Sequence, residues 1–188
     1  MGARKRLICV CGLPGTGKST VAATVAERTG GAVIRTDVVR KDLYPDPEYT
    51  STETRTTYDE VFARAREAID RDGVAILDGT FRRTSLREEA RAVAQQAGAA
   101  FDLVRVECCE DVVKERITER TDDPSDADYS VYQLLETEFE PIRVPHFSVD
   151  NSGSKAEMRQ QVSDFFAPLA ATTTKSPTPS NDNGARRP

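Results

Sequence analysis

The residues that most constrain this chain are Gly12-Leu13-Pro14-Gly15-Thr16-Gly17-Lys18-Ser19, which match G-x-x-x-x-G-K-[ST]. They stand directly behind the apolar run from Leu7 to Cys11 and ahead of a helix-like stretch that opens at Thr20. That placement is what a phosphate-binding loop needs: the glycines let backbone N–H groups turn inward, and the positive end of the next helix adds to their field. In such a loop Lys18 reaches the β- and γ-phosphates of a nucleotide and the Ser19 hydroxyl ligates magnesium. Gly12, Pro14, Gly15, Thr16, Gly17, Lys18, Ser19 and Thr20 are therefore expected to bind ATP with Mg2+. No Asn-Lys-x-Asp pattern for reading guanine occurs, which favours ATP over GTP.

A loop of this kind requires a parallel sheet behind it, and the rest of the chain has the pattern for one. Apolar runs rich in β-branched residues recur at Leu7 to Cys11, Ala32 to Ile34, Val74 to Leu77, Phe101 to Val106 and Val144 to Val149, with helix-like segments between them. Near-continuous apolar strands fit a sheet covered on both faces, with right-handed crossovers. Tyr58, Val61, Phe62, Ala65 and Ile69 fall at helical spacing, as do Met158, Val162, Phe165, Phe166 and Leu169. The expectation is one α/β kinase-like domain over 1–170 and a disordered Pro, Ser and Thr tail over 171–188. Two segments exceed a minimal crossover. The stretch 36–72, interrupted by Tyr44-Pro45-Asp46-Pro47, reads as an acceptor-binding insertion, and the polar stretch 121–130 reads as a lid.

The composition points to a soluble cytoplasmic protein: 38% of the residues are hydrophobic, no run has the length of a membrane span, and the start lacks a signal-peptide core. The net charge of -5 argues against a broad nucleic-acid surface. Cys9, Cys11, Cys108 and Cys109 lack metal-ligand spacing and read as reduced core thiols, and His146 reads as structural.

Chemistry beyond nucleotide binding rests on a few side chains. Asp37 and Arg40 sit three apart on a helix behind the second strand, so they share a face. A carboxylate there suits the base that takes a proton from an acceptor hydroxyl, and an arginine beside it suits an acceptor phosphate; helix capping by Asp37 is the alternative. Asp78 ends the run Val74 to Leu77 where an acid reaches the magnesium shell through water, unless it only opens a turn with Gly79. Thr80, Arg83 and Arg87, with Arg82, offer donors to an acceptor. Arg116 and Arg120 lie four apart before the lid, placed to cover adenine and reach the γ-phosphate, or else to pair with Glu115 and Glu119. Asn151 follows the last strand, where a parallel sheet binds ligands, and is a candidate adenine edge.

These residues together, from Gly12 to Thr20, then Asp37-x-x-Arg40, Leu77-Asp78-Gly79-Thr80, and Arg116 with Arg120, resemble the small P-loop kinases related to the polynucleotide 5'-hydroxyl kinase domain, the AAA-type predicted kinases, and the gluconate and shikimate kinases. The resemblance covers about Arg6 to Phe166. It implies a three-layer P-loop NTPase fold whose five-stranded parallel sheet runs 2-3-1-4-5, with helices on both faces and a lid. It also implies that Asp37 activates the hydroxyl, Arg40 holds an acceptor phosphate and Arg120 contacts ATP phosphates. Residues 35–66 mix acidic and basic side chains instead of forming a basic channel, which places a small hydroxylated metabolite or nucleoside-like molecule ahead of a nucleic-acid 5' end as acceptor. A nucleotide-switched binding module with weak ATPase activity is the reading from another class. The oligomeric state is not legible.

Overall fold

The computed structural model describes residues 5–119 and 127–170. Five parallel strands, β1 (Arg6–Cys11), β2 (Ala32–Arg35), β3 (Val74–Asp78), β4 (Ala100–Glu107) and β5 (Phe147–Asp150), pair in the order β2-β3-β1-β4-β5. The expected order is the observed one.

β1 lies at the centre and explains the layering. Residues alternate in side-chain direction along a strand. Leu7, Cys9 and Cys11 therefore join the core beneath α3 (Ser51–Asp72) and α4 (Thr84–Gln96), which supply Tyr58, Val61, Phe62, Ala65, Ala90 and Val93. Ile8 and Val10 point the other way, into a second core with Val21 and Val25 of α1 (Lys18–Thr29) and Met158 and Val162 of α7 (Lys155–Ala170). A strand buried on both faces has no polar alternation to show, which is why its run is continuous in the sequence.

Local chemistry sets most boundaries. Gly30 and Gly73 close α1 and α3 in the left-handed conformation. Thr50 caps α3 by accepting from the Glu53 N–H at 3.2 Å. The insertion consists of α2 (Thr36–Leu43) and α3, separated by the Pro-containing piece as expected. β5 begins three residues later than the run from Val144 implies, because Pro145 has no N–H to give a ladder; pairing starts at Phe147 opposite Val104. Two further helices, α5 (Glu110–Thr118) and α6 (Tyr129–Glu138), flank the segment expected to be a lid. Asp128 caps α6 through the Val131 N–H at 2.9 Å. Positions 121–126 of the expected lid and the tail 171–188 lie outside the described residues. No described helix is long and apolar enough to cross a membrane.

Candidate active site

The site is the C-terminal edge of the sheet, where the loops after β1, β2, β3 and β5 meet. The loop from Gly12 to Gly17 leaves β1 and feeds α1 at Lys18. The Thr16 hydroxyl donates to the Leu13 carbonyl at 2.8 Å and closes the loop on itself. Gly15 has φ 77, and a Cβ there would stand 2.9 Å from the Cγ1 atoms of both Val113 and Ile117. The loop is therefore packed directly under α5. Lys18 Nζ crosses the loop to donate to the Leu13 carbonyl at 2.9 Å.

Behind the loop, the Ser19 hydroxyl donates to Asp78 Oδ2 at 2.7 Å. Asp78 is 4% exposed. Burial pushes its carboxyl up from the usual carboxylate range, against the pull of Lys18, the Ser19 hydrogen bond and Arg35. Arg35 Nε lies 3.2 Å from the same Asp78 oxygen. Register explains the pair, since Arg35 is the partner of Asp78 across β2 and β3. The sequence reading missed Arg35, although a charged residue ending an apolar strand is the same signal that singled out Asp78. Two adjacent hard oxygen donors suit magnesium, which takes only one or two protein ligands and completes its shell with water and phosphate oxygens.

On the β2 side, α2 starts at Thr36, and Thr36 packs so closely on Gly79 that a Cβ there would lie 2.6 Å from Thr36 Cγ2. The start of α2 is thus pressed against the end of β3. Asp37, half-buried in the first turn of α2, is near enough for its charge to act on both Asp78 and Tyr58. Arg35 is the N-cap residue, so the alternative in which Asp37 caps the helix does not apply. Arg40 is 8% exposed; its guanidinium lies 4.8 Å from the ring centre of Tyr49, and its Nη1 is buried without a hydrogen-bond partner. Tyr49 (φ 56) and Phe81 (φ 44) are the non-glycine residues with positive φ among those described, and they flank this side. The Thr80 carbonyl accepts from the Gly12 N–H at 3.4 Å, tying the loop after β3 to the phosphate loop.

Three expected donors separate here. Arg83 is exposed at the start of α4. Arg87 is turned inward and 4% exposed: Nη1 donates to the Phe81 and Arg82 carbonyls at 2.8 and 3.0 Å, and Nη2 to Thr84 Oγ1, Glu140 O and Pro141 O at 2.9, 3.0 and 3.3 Å. That corrects its assignment as an acceptor ligand, because these bonds to its own chain occupy both terminal nitrogens. Arg82 Nε donates to Glu138 at 2.9 Å.

The β5 side holds a cleft of about 230 Å³ lined by Gly17, Thr20, Arg116, Asn151, Lys155 and Met158. Arg116 is not ion-paired on its helix; Nη2 donates to the Asn151 carbonyl at 2.9 Å and Nη1 to Cys108 Sγ at 3.5 Å. The Asn151 side chain donates to the Thr16 carbonyl at 2.8 Å. Arg120 lies outside the described residues. Cys9 and Cys11 are buried, and burial raises the Cys11 thiol to about 11. Cys108 is only half-buried and Cys109 exposed, which corrects the core reading for that pair: β4 has ended and the chain is turning into α5. His146 is exposed, its Nδ1 2.9 Å from the Val144 carbonyl.

The AAA domain family model matches residues 7–142. The chain is 36% identical over 142 residues to an uncharacterized protein of Mycobacterium tuberculosis, covering 69% of this chain and 28% of the relative. It is likewise 36% identical over 108 residues to a UPF0200 protein of Aeropyrum pernix, covering 50% of this chain and 54% of that one. The chain therefore spans about a quarter to a half of the length of these curated relatives. Among solved structures, a gluconokinase from Sinorhizobium meliloti superposes with a TM-score of 0.68 at 23% identity, over 91% of this chain and 97% of that one. The Mycobacterium tuberculosis APS kinase CysC in complex with AMPPNP and APS gives 0.66 at 18% identity, over 90% and 99%. These likenesses establish the fold of the P-loop kinases. By the extent of its match, the chain belongs to the AAA domain family.

Proposed function

We propose that the protein transfers the γ-phosphoryl group of ATP to a hydroxyl of a small metabolite or nucleoside-like acceptor. The observation that carries this reading is the abutment of α2 on the end of β3: it sets Asp37 near enough to Asp78 for their charges to interact, and the same helix carries Arg40 with its Nη1 buried and without a hydrogen-bond partner. A buried, unpaired guanidinium nitrogen costs free energy that an acceptor oxygen would recover.

In the proposed reaction the acceptor oxygen bonds to the γ-phosphorus as the bond from that phosphorus to the β,γ-bridging oxygen breaks, and ADP leaves. The hydroxyl proton goes to the Asp37 carboxylate. Lys18 and the loop N–H groups bind the phosphates; Ser19 and, through water, Asp78 would hold Mg2+, which would supply positive charge to the phosphates. Arg116 lies against the base side, and Arg40, Thr80 and Arg83 serve the acceptor.

The test is transfer from γ-labelled ATP to sugars, nucleosides, hydroxylated antibiotics and 5'-hydroxyl oligonucleotides, beside Asp37→Asn. A labelled product that falls about 10²-fold or more in the variant, with ATP affinity retained, supports the assignment. Equal loss of transfer and affinity refutes it.

A further inference from the structure

The carbonyl and N–H of one trans peptide point in opposite directions. Thr16 O and Gly17 N–H belong to one such unit, so whatever holds the carbonyl also aims the amide. The holder is Asn151, 6% exposed, whose Nδ2 donates to Thr16 O at 2.8 Å across the sheet edge. Gly17 stands at φ 87, and a Cβ there would lie 2.2 Å from Asn151 Nδ2. The glycine thus has two consequences: it lets Asn151 approach, and it leaves the Thr16–Gly17 peptide free to rotate, since glycine tolerates the conformations on either side of a flip.

Asn151 itself is fixed by its backbone. Its N–H donates to Glu107 O at 2.8 Å, and its carbonyl accepts from Arg116 Nη2 at 2.9 Å and from Cys108 Sγ at 3.4 Å. The side-chain amide is therefore presented from a frame that does not depend on it. We infer that Asn151 is the latch of the phosphate loop, a positioning residue that pins the Thr16 carbonyl outward and so keeps the Gly17 N–H directed at bound phosphate. Without the latch the peptide samples the flipped state, which turns a carbonyl dipole toward the phosphates and withdraws one donor. Because Arg116 of the base-side cleft docks on the same residue, the latch also ties base-side order to the shape of the phosphate loop. This inference rests on the reading of residues 12–19 as a phosphate cradle.

Inorganic tripolyphosphate, which has no base, isolates the effect. Its binding and that of MgATP are measured by competition with a fluorescent ATP analogue for the wild type, for Asn151→Leu, of similar shape without the donor, and for Asn151→Ala, which adds no bulk. The Gly17 amide is followed by ¹⁵N–¹H correlation spectra. Losing the latch is expected to weaken tripolyphosphate and ATP alike by about tenfold or more, in variants still folded at the assay temperature though melting somewhat below wild type, and to abolish the Gly17 amide shift on tripolyphosphate addition. Loss of ATP affinity alone, which is the mark of an adenine contact, overturns the inference, and so does tripolyphosphate affinity within about twofold of wild type in a folded variant. Failure of the cradle reading looks different: the wild type itself binds no tripolyphosphate, and Gly17 does not respond.

Discussion

Replacing Arg87 by Met tests whether this arginine is a strut or a ligand. Met keeps the length of the apolar stem and removes the guanidinium. Four backbone carbonyls, those of Phe81, Arg82, Glu140 and Pro141, then lose a charged donor inside the protein. An unsatisfied buried acceptor costs about 1–3 kcal/mol. The sum overstates the loss, because the wild type desolvates a charge that Met does not and because water reaches some of the vacated carbonyls. A net destabilisation of about 3–5 kcal/mol follows, the range for breaking a buried charged network. In a domain of this size 1 kcal/mol moves the melting temperature by about 2–4 °C, so the drop should be about 6–20 °C. Thermal unfolding followed by circular dichroism reads it directly, and urea unfolding gives the free energy. MgATP affinity at a temperature where the variant is folded should stay close to wild type. A variant that melts with the wild type while its acceptor KM rises would refute the strut and restore Arg87 as a binding residue.

Lys18→Ala should weaken MgATP binding and turnover together, and unchanged turnover would overturn the phosphate-loop reading. Gly15→Ala should cost about 1–2 kcal/mol for the left-handed backbone and a further 1–3 kcal/mol for pressing on Val113 and Ile117, both side chains of α5; a melting temperature within error of wild type would show that α5 does not bear on the loop. Tyr58 is buried and its hydroxyl is raised from 10.0 to about 12, chiefly by desolvation. The folded state then holds a proton that the unfolded state releases, so its contribution is complete below pH 10 and is lost as pH rises toward 12, by about 2–3 kcal/mol. Tyr58→Phe should flatten that part of the stability profile, measured by urea unfolding from pH 9 to 12, and a profile parallel to the wild type's would contradict the burial argument.

The sheet and the phosphate loop were legible because each depends on short-range pattern. A strand buried on both faces must be apolar throughout, and a loop that wraps phosphate must have glycine at fixed spacing. The other contacts of the site arise from register and packing, which no spacing rule carries. Arg35 meets Asp78 because β2 lies beside β3, and those strands are separated in sequence by the whole insertion. Arg87 sits at a helix start that looks solvated, yet it is buried because the chain returns over it at Glu140 and Pro141. Asn151 shows the same limit from the other direction. Its position after the last strand marked the correct end of the sheet, but no spacing rule shows that its side-chain amide donates to the Thr16 carbonyl of the phosphate loop. A single rule covers these cases: at the carboxyl edge of a parallel sheet, sequence identifies which residues arrive, whereas the order of the strands decides which of them meet. The order β2-β3-β1-β4-β5 puts the acceptor candidates Asp37 and Arg40 on one flank of β1 and the base candidates Arg116 and Asn151 on the other, with the phosphate loop between them. Under the proposed reading, a phosphoryl group held in that loop would lie between two separately built walls, one serving the acceptor and one the nucleotide base.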